Sequence, residues 1–340
     1  MKVLFYVGYP LCWAKGGYTI IILETKKSLE KLGVEVLWLH HENLESESPR
    51  ADIVHYWTRP PSDQHWELAR KSGYKVAITD LMQVAVLHPH WTWRLRGFAK
   101  PVIRRIMGSG LYSILGTGIY KAADAVMAFT PYEAEYMVTV FDANPASTHF
   151  IPNGVESVFL QKDIKPIPDQ GLLCLGYICE RKNSVEVAHA AKQAGVPVTF
   201  IGGPLLGEGD PYFQEFRKLV DGGVVKWLGE IRDRERLAGL LRGCAGFLLA
   251  SKNEGSPLSV MEAMACERAV MVSDLPNMRS YYGDAVTYCQ QPNCPEFVGQ
   301  LTRFHDQCKV GLTSHFPLIS WDQVGERVFD VYRKILFIAP

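Results

Sequence analysis

Neither sign of charge is in excess: 36 Lys and Arg face 36 Asp and Glu across 340 residues. A nucleic-acid binder carries a basic surplus in at least one domain, so that class of partner is set aside. Paired cysteines are also lacking. Cys12, Cys174, Cys179, Cys244, Cys266, Cys289, Cys294 and Cys308 form no C-x-x-C and have no histidine at zinc spacing, which argues against a metal site and for reduced thiols in a cytoplasmic protein. No apolar run approaches the roughly 18 residues that would span a bilayer, and the run at residues 3–7 is too brief for the core of a signal peptide. Repeats of 20 to 50 residues and low-complexity tracts are missing. So is G-x-G-x-x-G spacing within residues 8–17, which counts against a dinucleotide oxidoreductase.

What is there is alternation. Residues 2–7 form a short apolar run, a loop containing Gly16-Gly17 follows, and Ile22, Thr25, Leu29 and Leu32 then recur at helical 3-4-3 spacing. Gly33 is placed to end that helix, and residues 34–39 read as the next strand. Such a β-loop-α-β unit is the right-handed crossover of a parallel sheet. Further strands are expected at 52–56, 75–79 and 125–129. Residues 162–169 turn polar and Pro-rich and mark a domain boundary. A second series follows, with strands at 172–176, 198–201, 224–228, 246–250 and 270–273 and helices at 185–194, 234–241 and 257–265. The expected class is α/β, two successive doubly wound domains at 1–163 and 170–320. In the last segment, 321–340, Val324, Val328, Val331 and Ile335 repeat at 4-3-4, an amphipathic helix.

The stretch richest in chemistry runs from Asn253 to Met264, just after a strand and into a helix. Ser256 is a suitable N-cap and Pro257 suits the first helical position. The N–H groups of Leu258, Ser259 and Val260 then lack intrahelical partners at the positive end of a helix, where a phosphate or diphosphate is the natural occupant. Glu254 and Glu262 flank that point and can accept hydrogen bonds from hydroxyls, which suggests a ligand combining phosphate with sugar.

Glu254, seven residues, then Glu262-Ala263-Met264-Ala265-Cys266 resembles the acidic signature of retaining glycosyltransferases of the GT-B fold, family 4. Gly16-Gly17, Asp52-Ile53-Val54-His55, Ala123-Asp124-Ala125-Val126, Ile151-Pro152-Asn153-Gly154, residues 198–203 and Trp227-Leu228-Gly229-Glu230 resemble that family's successive elements in order. The resemblance implies two Rossmann-like domains facing a cleft, with the terminal helix crossing back to the first. It implies that Glu262 holds the ribose hydroxyls of a nucleotide sugar and that Glu254 contacts the transferred sugar. Lys182 matches the family's basic residue on the diphosphate, and Gly16 and Gly17 match a loop that approaches the donor. No metal and no cofactor beyond the donor substrate are implied. The chain departs from the pattern at Tyr177, where the family often has Arg and where Arg181 offers a substitute cation. Another departure is Asp80, where the family commonly has His; Asp80 itself, or His88 or His90 folding back, fills that role. Cys266-Glu267-Arg268 replaces Cys-Gly, so a non-glycine residue must make the turn after the acidic helix.

Residues 81–123 contain no Asp or Glu, while Arg94, Arg96, Arg104 and Arg105 alternate with Trp and aliphatic residues. That mixture suits an acceptor-side contact with the inner face of an anionic membrane; the competing reading is a helix with its charges in water. The function expected is transfer of a sugar, with retention and without metal, to a glycan, glycolipid or small-molecule acceptor hydroxyl. The alternative is a catalytically silent scaffold of the same fold that binds a nucleotide or glycan.

Overall fold

A computed structural model describes residues 1–9, 11–12, 16–39, 50–82, 92–93, 95, 105 and 117–337. The chain divides into two units, Met1–Gly154 with Ile319–Pro340, and Val155–Leu318.

In the first unit six strands, β1 (Lys2–Tyr6), β2 (Glu35–Trp38), β3 (Ile53–Tyr56), β4 (Lys75–Thr79), β5 (Ala125–Ala128) and β6 (Thr148–Phe150), form one sheet in the order β2-β1-β3-β4-β5-β6. Every pairing is parallel. β3 and β5 are buried at every position, which is why β5 reads as a continuous apolar run and β3 as one interrupted only by His55, rather than as alternating strands. The helix Gly17–Lys31 ends as the sequence reading expects: Gly33 takes φ +78°, and the N–H groups of Gly33 and Val34 return to the carbonyls of Glu30 and Leu29.

The terminal helix Trp321–Phe337 packs on Gly17–Lys31 within this unit, burying Val324, Val328, Val331 and Ile335. The crossing is close. A Cβ on Gly325 would stand 2.6 Å from Ser28 Cβ, and a Cβ on Gly154 would stand 2.8 Å from the Trp321 nitrogen. The backbone at Gly154 thus lies directly against the start of that helix.

The second unit repeats the plan with β7 (Leu172–Leu175), β8 (Val198–Ile201), β9 (Val225–Trp227), β10 (Gly246–Leu249), β11 (Val270–Ser273) and β12 (Thr287–Cys289), ordered β12-β11-β10-β7-β8-β9. All its pairings are parallel too. Consecutive strands run outward from β7 to β9, and the chain then returns to β7's other side with β10. This is a topological switch point, and ligands of open α/β sheets bind outside the carboxyl ends of the strands flanking it.

The change of unit comes at Gly154, ahead of the polar stretch 162–169. Phe159, in the short helix Ser157–Leu160, is fully buried, and Arg242 donates to its carbonyl. The polar stretch is itself held: Ile167 N–H bonds the Gly239 carbonyl and Asp169 N–H the Gly243 carbonyl. A Cβ on Gly243 would fall 1.8 Å from the Ile167 oxygen. Composition marks this stretch as a linker because its anchors are backbone groups together with the Asp169 carboxylate, which accepts from Thr199 Oγ1 and Gly171 N–H, and composition does not display such partners.

The helix Leu258–Ala265 ends without glycine. Glu267 takes φ +59°, and the N–H groups of Glu267 and Arg268 return to the carbonyls of Met264 and Ala263. A left-handed non-glycine residue costs about 1 kcal/mol. Glu267→Gly is therefore expected to raise stability by about 1 kcal/mol, read from the midpoint of urea unfolding; an unchanged or lower midpoint would show that the strain is absorbed elsewhere.

Candidate functional site

At the switch point of the second sheet the loop after β7 carries Arg181 and Lys182, and the loop after β10 carries Glu254. Lys182 Nζ lies 2.6 Å and Arg181 Nη1 2.8 Å from the same oxygen, Glu254 Oε1. Arg181 also donates to the Asn253 carbonyl at 3.0 Å. Burial drives the Glu254 carboxyl up, but the ammonium and guanidinium beside it outweigh burial and hold it below the ordinary glutamate value. Two cations against one carboxylate leave this trio with a net positive charge.

Backbone geometry admits the arrangement. Gly176 takes φ +146°, and a Cβ there would crowd Lys182 Cε at 3.2 Å. Gly202, closing β8, approaches so tightly that a Cβ would meet the Gly176 oxygen at 1.9 Å. Two asparagines stitch the loops. Asn183, left-handed at φ 53°, donates to the Ala250 carbonyl at 2.7 Å, and Asn277 donates to the carbonyls of Glu254 and Gly255 at 2.6 and 2.7 Å. A backbone bond from Lys252 N–H to the Arg181 oxygen joins the two loops directly.

The acidic helix begins at Leu258, with Pro257 as its N-cap and no side chain capping it. This corrects the expectation for Ser256 and Pro257, each of which sits one position further out. Pro257 at ψ 119° is extended rather than helical. The N–H groups of Leu258, Ser259 and Val260 remain those of the first turn. Ser256 is buried, while Leu258 and Ser259 are half-buried.

Glu262 is buried further along the helix, with its Oε1 2.5 Å from Arg234 Nη2. The same nitrogen lies 2.6 Å from Glu156 Oε1. Burial raises the Glu262 carboxyl above its ordinary value, and Arg234 only partly offsets this.

In the first unit, Gly16 is the N-cap of the helix Gly17–Lys31 and Gly17 its exposed first residue. The next side chain anchors them: Tyr18 OH reaches the carbonyls of Trp57 and Thr79, at the ends of β3 and β4. Asp80 follows β4, accepts from Tyr120 OH and lies 4.0 Å from Arg59 Nη2. Burial raises its carboxyl, against the opposing pull of Tyr120 and Arg59. His55 is fully buried between Tyr332 OH at 2.6 Å and Thr79 Oγ1 at 2.8 Å, and burial lowers its imidazole to about 3. It is a neutral core histidine. Arg105 is helical and exposed; Arg94, Arg96 and Arg104, with His88 and His90, lie outside the described residues. Among the described residues no helix is long and apolar enough to cross a membrane.

Residues 171–307 match the family described as glycosyl transferases group 1. The second unit carries a glycosyl transferases group 1 domain. Over 253 residues the chain is 22% identical to the alpha-maltose-1-phosphate synthase of Mycolicibacterium smegmatis, covering 63% of this chain and 64% of that protein's length. Among solved structures, a glycosyltransferase from Rickettsia africae superposes at TM-score 0.67 with 13% identity, over 99% of both chains. HepE of Anabaena, solved with UDP-glucose, superposes at 0.62 with 13% identity, over 98% of this chain and all of that one. At such identities these likenesses establish the GT-B fold.

Within the second unit, Lys182, Arg181 and Glu254 meet in one cluster, while Glu262 belongs to a second cluster with Arg234 and with Glu156, which precedes the group 1 match. Arg234, Glu156 and Asn277 escaped the sequence reading. Arg234 looks like an ordinary first-turn residue after the N-cap Asp233, and only its far-off partners reveal it. The first unit holds a comparable surprise in Glu133, which is fully buried and accepts from the N–H groups of Met82 and Phe129, so that it ties together the segments following β4 and β5.

Burial raises the Glu133 carboxyl to about 7, against the pull of those N–H groups. Its folded pKa exceeds the unfolded one, so its stabilising contribution is complete below about pH 4.5 and is lost as pH rises through about 7. The stability of the wild type relative to Glu133→Gln is expected to fall by about 3 kcal/mol between pH 4.5 and 8, measured by urea unfolding at each pH. Parallel pH profiles would sink this assignment.

Proposed function

We propose that the chain is a retaining, metal-independent glycosyltransferase of family 4, with the nucleotide-sugar donor bound by its group 1 domain. The observation that carries this is the meeting of Lys182 and Arg181, from the loop after β7, with Glu254, from the loop that leads into the first turn of Leu258–Ala265, at the sheet's switch point. HepE was solved with UDP-glucose, and a donor of that class matches a positive trio followed by the buried carboxylate of Glu262. The diphosphate takes Lys182, Arg181 and the N–H groups of Leu258, Ser259 and Val260. Glu262 takes the ribose hydroxyls and Glu254 those of the sugar.

In the reaction the bond from the anomeric carbon to the diphosphate oxygen breaks, and a bond from the acceptor oxygen to that carbon forms on the same face. The acceptor proton passes to the departing diphosphate. Negative charge grows on that group as it leaves, and fixed cations and helix N–H groups stabilise it there without reorganising. Asp80, with Gly16 and Gly17, belongs to the acceptor-side unit in this reading, and the acceptor is a glycan, glycolipid or small molecule. The arginine-rich segment 94–105 favours one held at an anionic membrane face.

Tyr177, half-buried after Gly176 where the family often has Arg, favours the second reading, a silent scaffold that binds nucleotide without turnover. Thermal shifts with UDP, GDP, ADP and their sugars separate these readings, since a ligand specific for the folded state raises the melting temperature. One nucleotide class is expected to stabilise the wild type and to lose its effect in Glu262→Ala. Lys182→Ala is expected to lower turnover about a hundredfold or more, the scale of removing one group that stabilises developing charge. A product of inverted anomeric configuration would overturn retention, and binding without transfer or donor hydrolysis would favour the scaffold.

A further inference from the structure

Building on the donor reading, we propose that Arg234 is a positioning residue for nucleotide binding, which fixes Glu262 so that its carboxylate presents a ready acceptor pair to the ribose diol.

Arg234 opens the helix Arg234–Gly243, whose first turn is capped by the Asp233 side chain on Arg236 N–H at 3.0 Å. Its guanidinium grips Glu156 with two nitrogens, Nε at 3.2 Å from Oε2 and Nη2 at 2.6 Å from Oε1. The ring of Phe159, itself fully buried, lies under the guanidinium carbon at 4.7 Å. A fork held by a carboxylate along one edge and an aromatic ring on one face has little freedom left. Nη2 spends its remaining proton on Glu262 Oε1 at 2.5 Å. Glu262 is thereby pinned by a group that is itself pinned.

The chemistry needs this. A buried carboxyl without a cation drifts to its neutral form, which offers a diol a weaker acceptor and presents a proton of its own. Arg234 is the cation on Glu262; Glu156, which also faces it, pushes the other way. The Cys266 thiol, one turn further along the helix, is held up by burial and stays uncharged. One bond from Arg234 uses one lone pair of Oε1, which leaves the other lone pair and Oε2 for two hydroxyls. Glu156 and Phe159 both lie just beyond Gly154, so this support is supplied by the segment that opens the second unit.

The test is calorimetric titration of the full chain with UDP, GDP and ADP, and with the 2′,3′-dideoxy counterpart of whichever binds. Arg234→Gln is expected to weaken the ribonucleotide about tenfold, the scale of a hydrogen bond to a charged group, while changing the dideoxy nucleotide by less than about twofold. Arg234→Lys keeps the charge without the fork and is expected to fall between. If Arg234→Gln does not fold, Arg234→Lys and Glu156→Gln, which leaves Arg234 unanchored, carry the same comparison. Equal loss for both nucleotides would mean general damage to the site and overturn the proposal, as would unchanged affinity for the ribonucleotide. Failure of every nucleotide to bind the wild type would overturn the donor reading, and Arg234's role with it.

Discussion

A carboxylate removed from water must be given a cation or give up its charge, and the second unit is organised around two that keep partners. Glu254 and Glu262 are both buried, yet they are served separately, one by Lys182 and Arg181 and the other by Arg234. The cost of desolvating an ion is several kcal/mol even after relaxation, so each pair has to be held by neighbours that leave little room for error. That requirement accounts for Gly176 and Gly202 pressed together at the strand ends, for Asn183 and Asn277 fastening the loop backbone, and for Phe159 beneath the Arg234 guanidinium.

The first unit meets burial differently. His55 stays neutral between two hydroxyl groups, and Glu133 settles near the neutral range while it accepts backbone N–H groups. Asp80 sits between these extremes, with Tyr120 and Arg59 beside it but a carboxyl still raised by burial. The second unit thus gives each of its buried carboxylates a cation. The first unit tunes groups that hold hydrogen bonds and protons.

Much of this architecture was legible from periodicity and punctuation. The strands at 75–79, 198–201 and 270–273 have the bounds that the sequence suggests, because their largely buried apolar runs are interrupted by at most one or two small or terminal polar residues. Gly33 was legible as a helix stop because its conformation is chemically restricted. The departure at Glu267 was legible as well: a helix that ends where glycine is usual must put some other residue in the left-handed region, and Glu267 is there. Ser256 was less so, since a serine before a proline reads as a cap, whereas the extended Pro257 takes that place. Glu254, Lys182 and Arg181 were singled out by type and order, but nothing in their order says that all three share one oxygen.

What the sequence determined alone was local: which segments alternate between strand and helix, which glycines punctuate them, and which charged residues stand at loop positions beyond strand ends. These follow from short-range sterics and from the periodicity of apolar side chains. Partnership was decided only by tertiary structure. Arg234 lies 78 positions from Glu156 and 28 from Glu262, and Lys182 lies far along the chain from Glu254. Crossovers in a parallel sheet bring such residues to one edge, and strand order, rather than any single segment, sets which loops become neighbours.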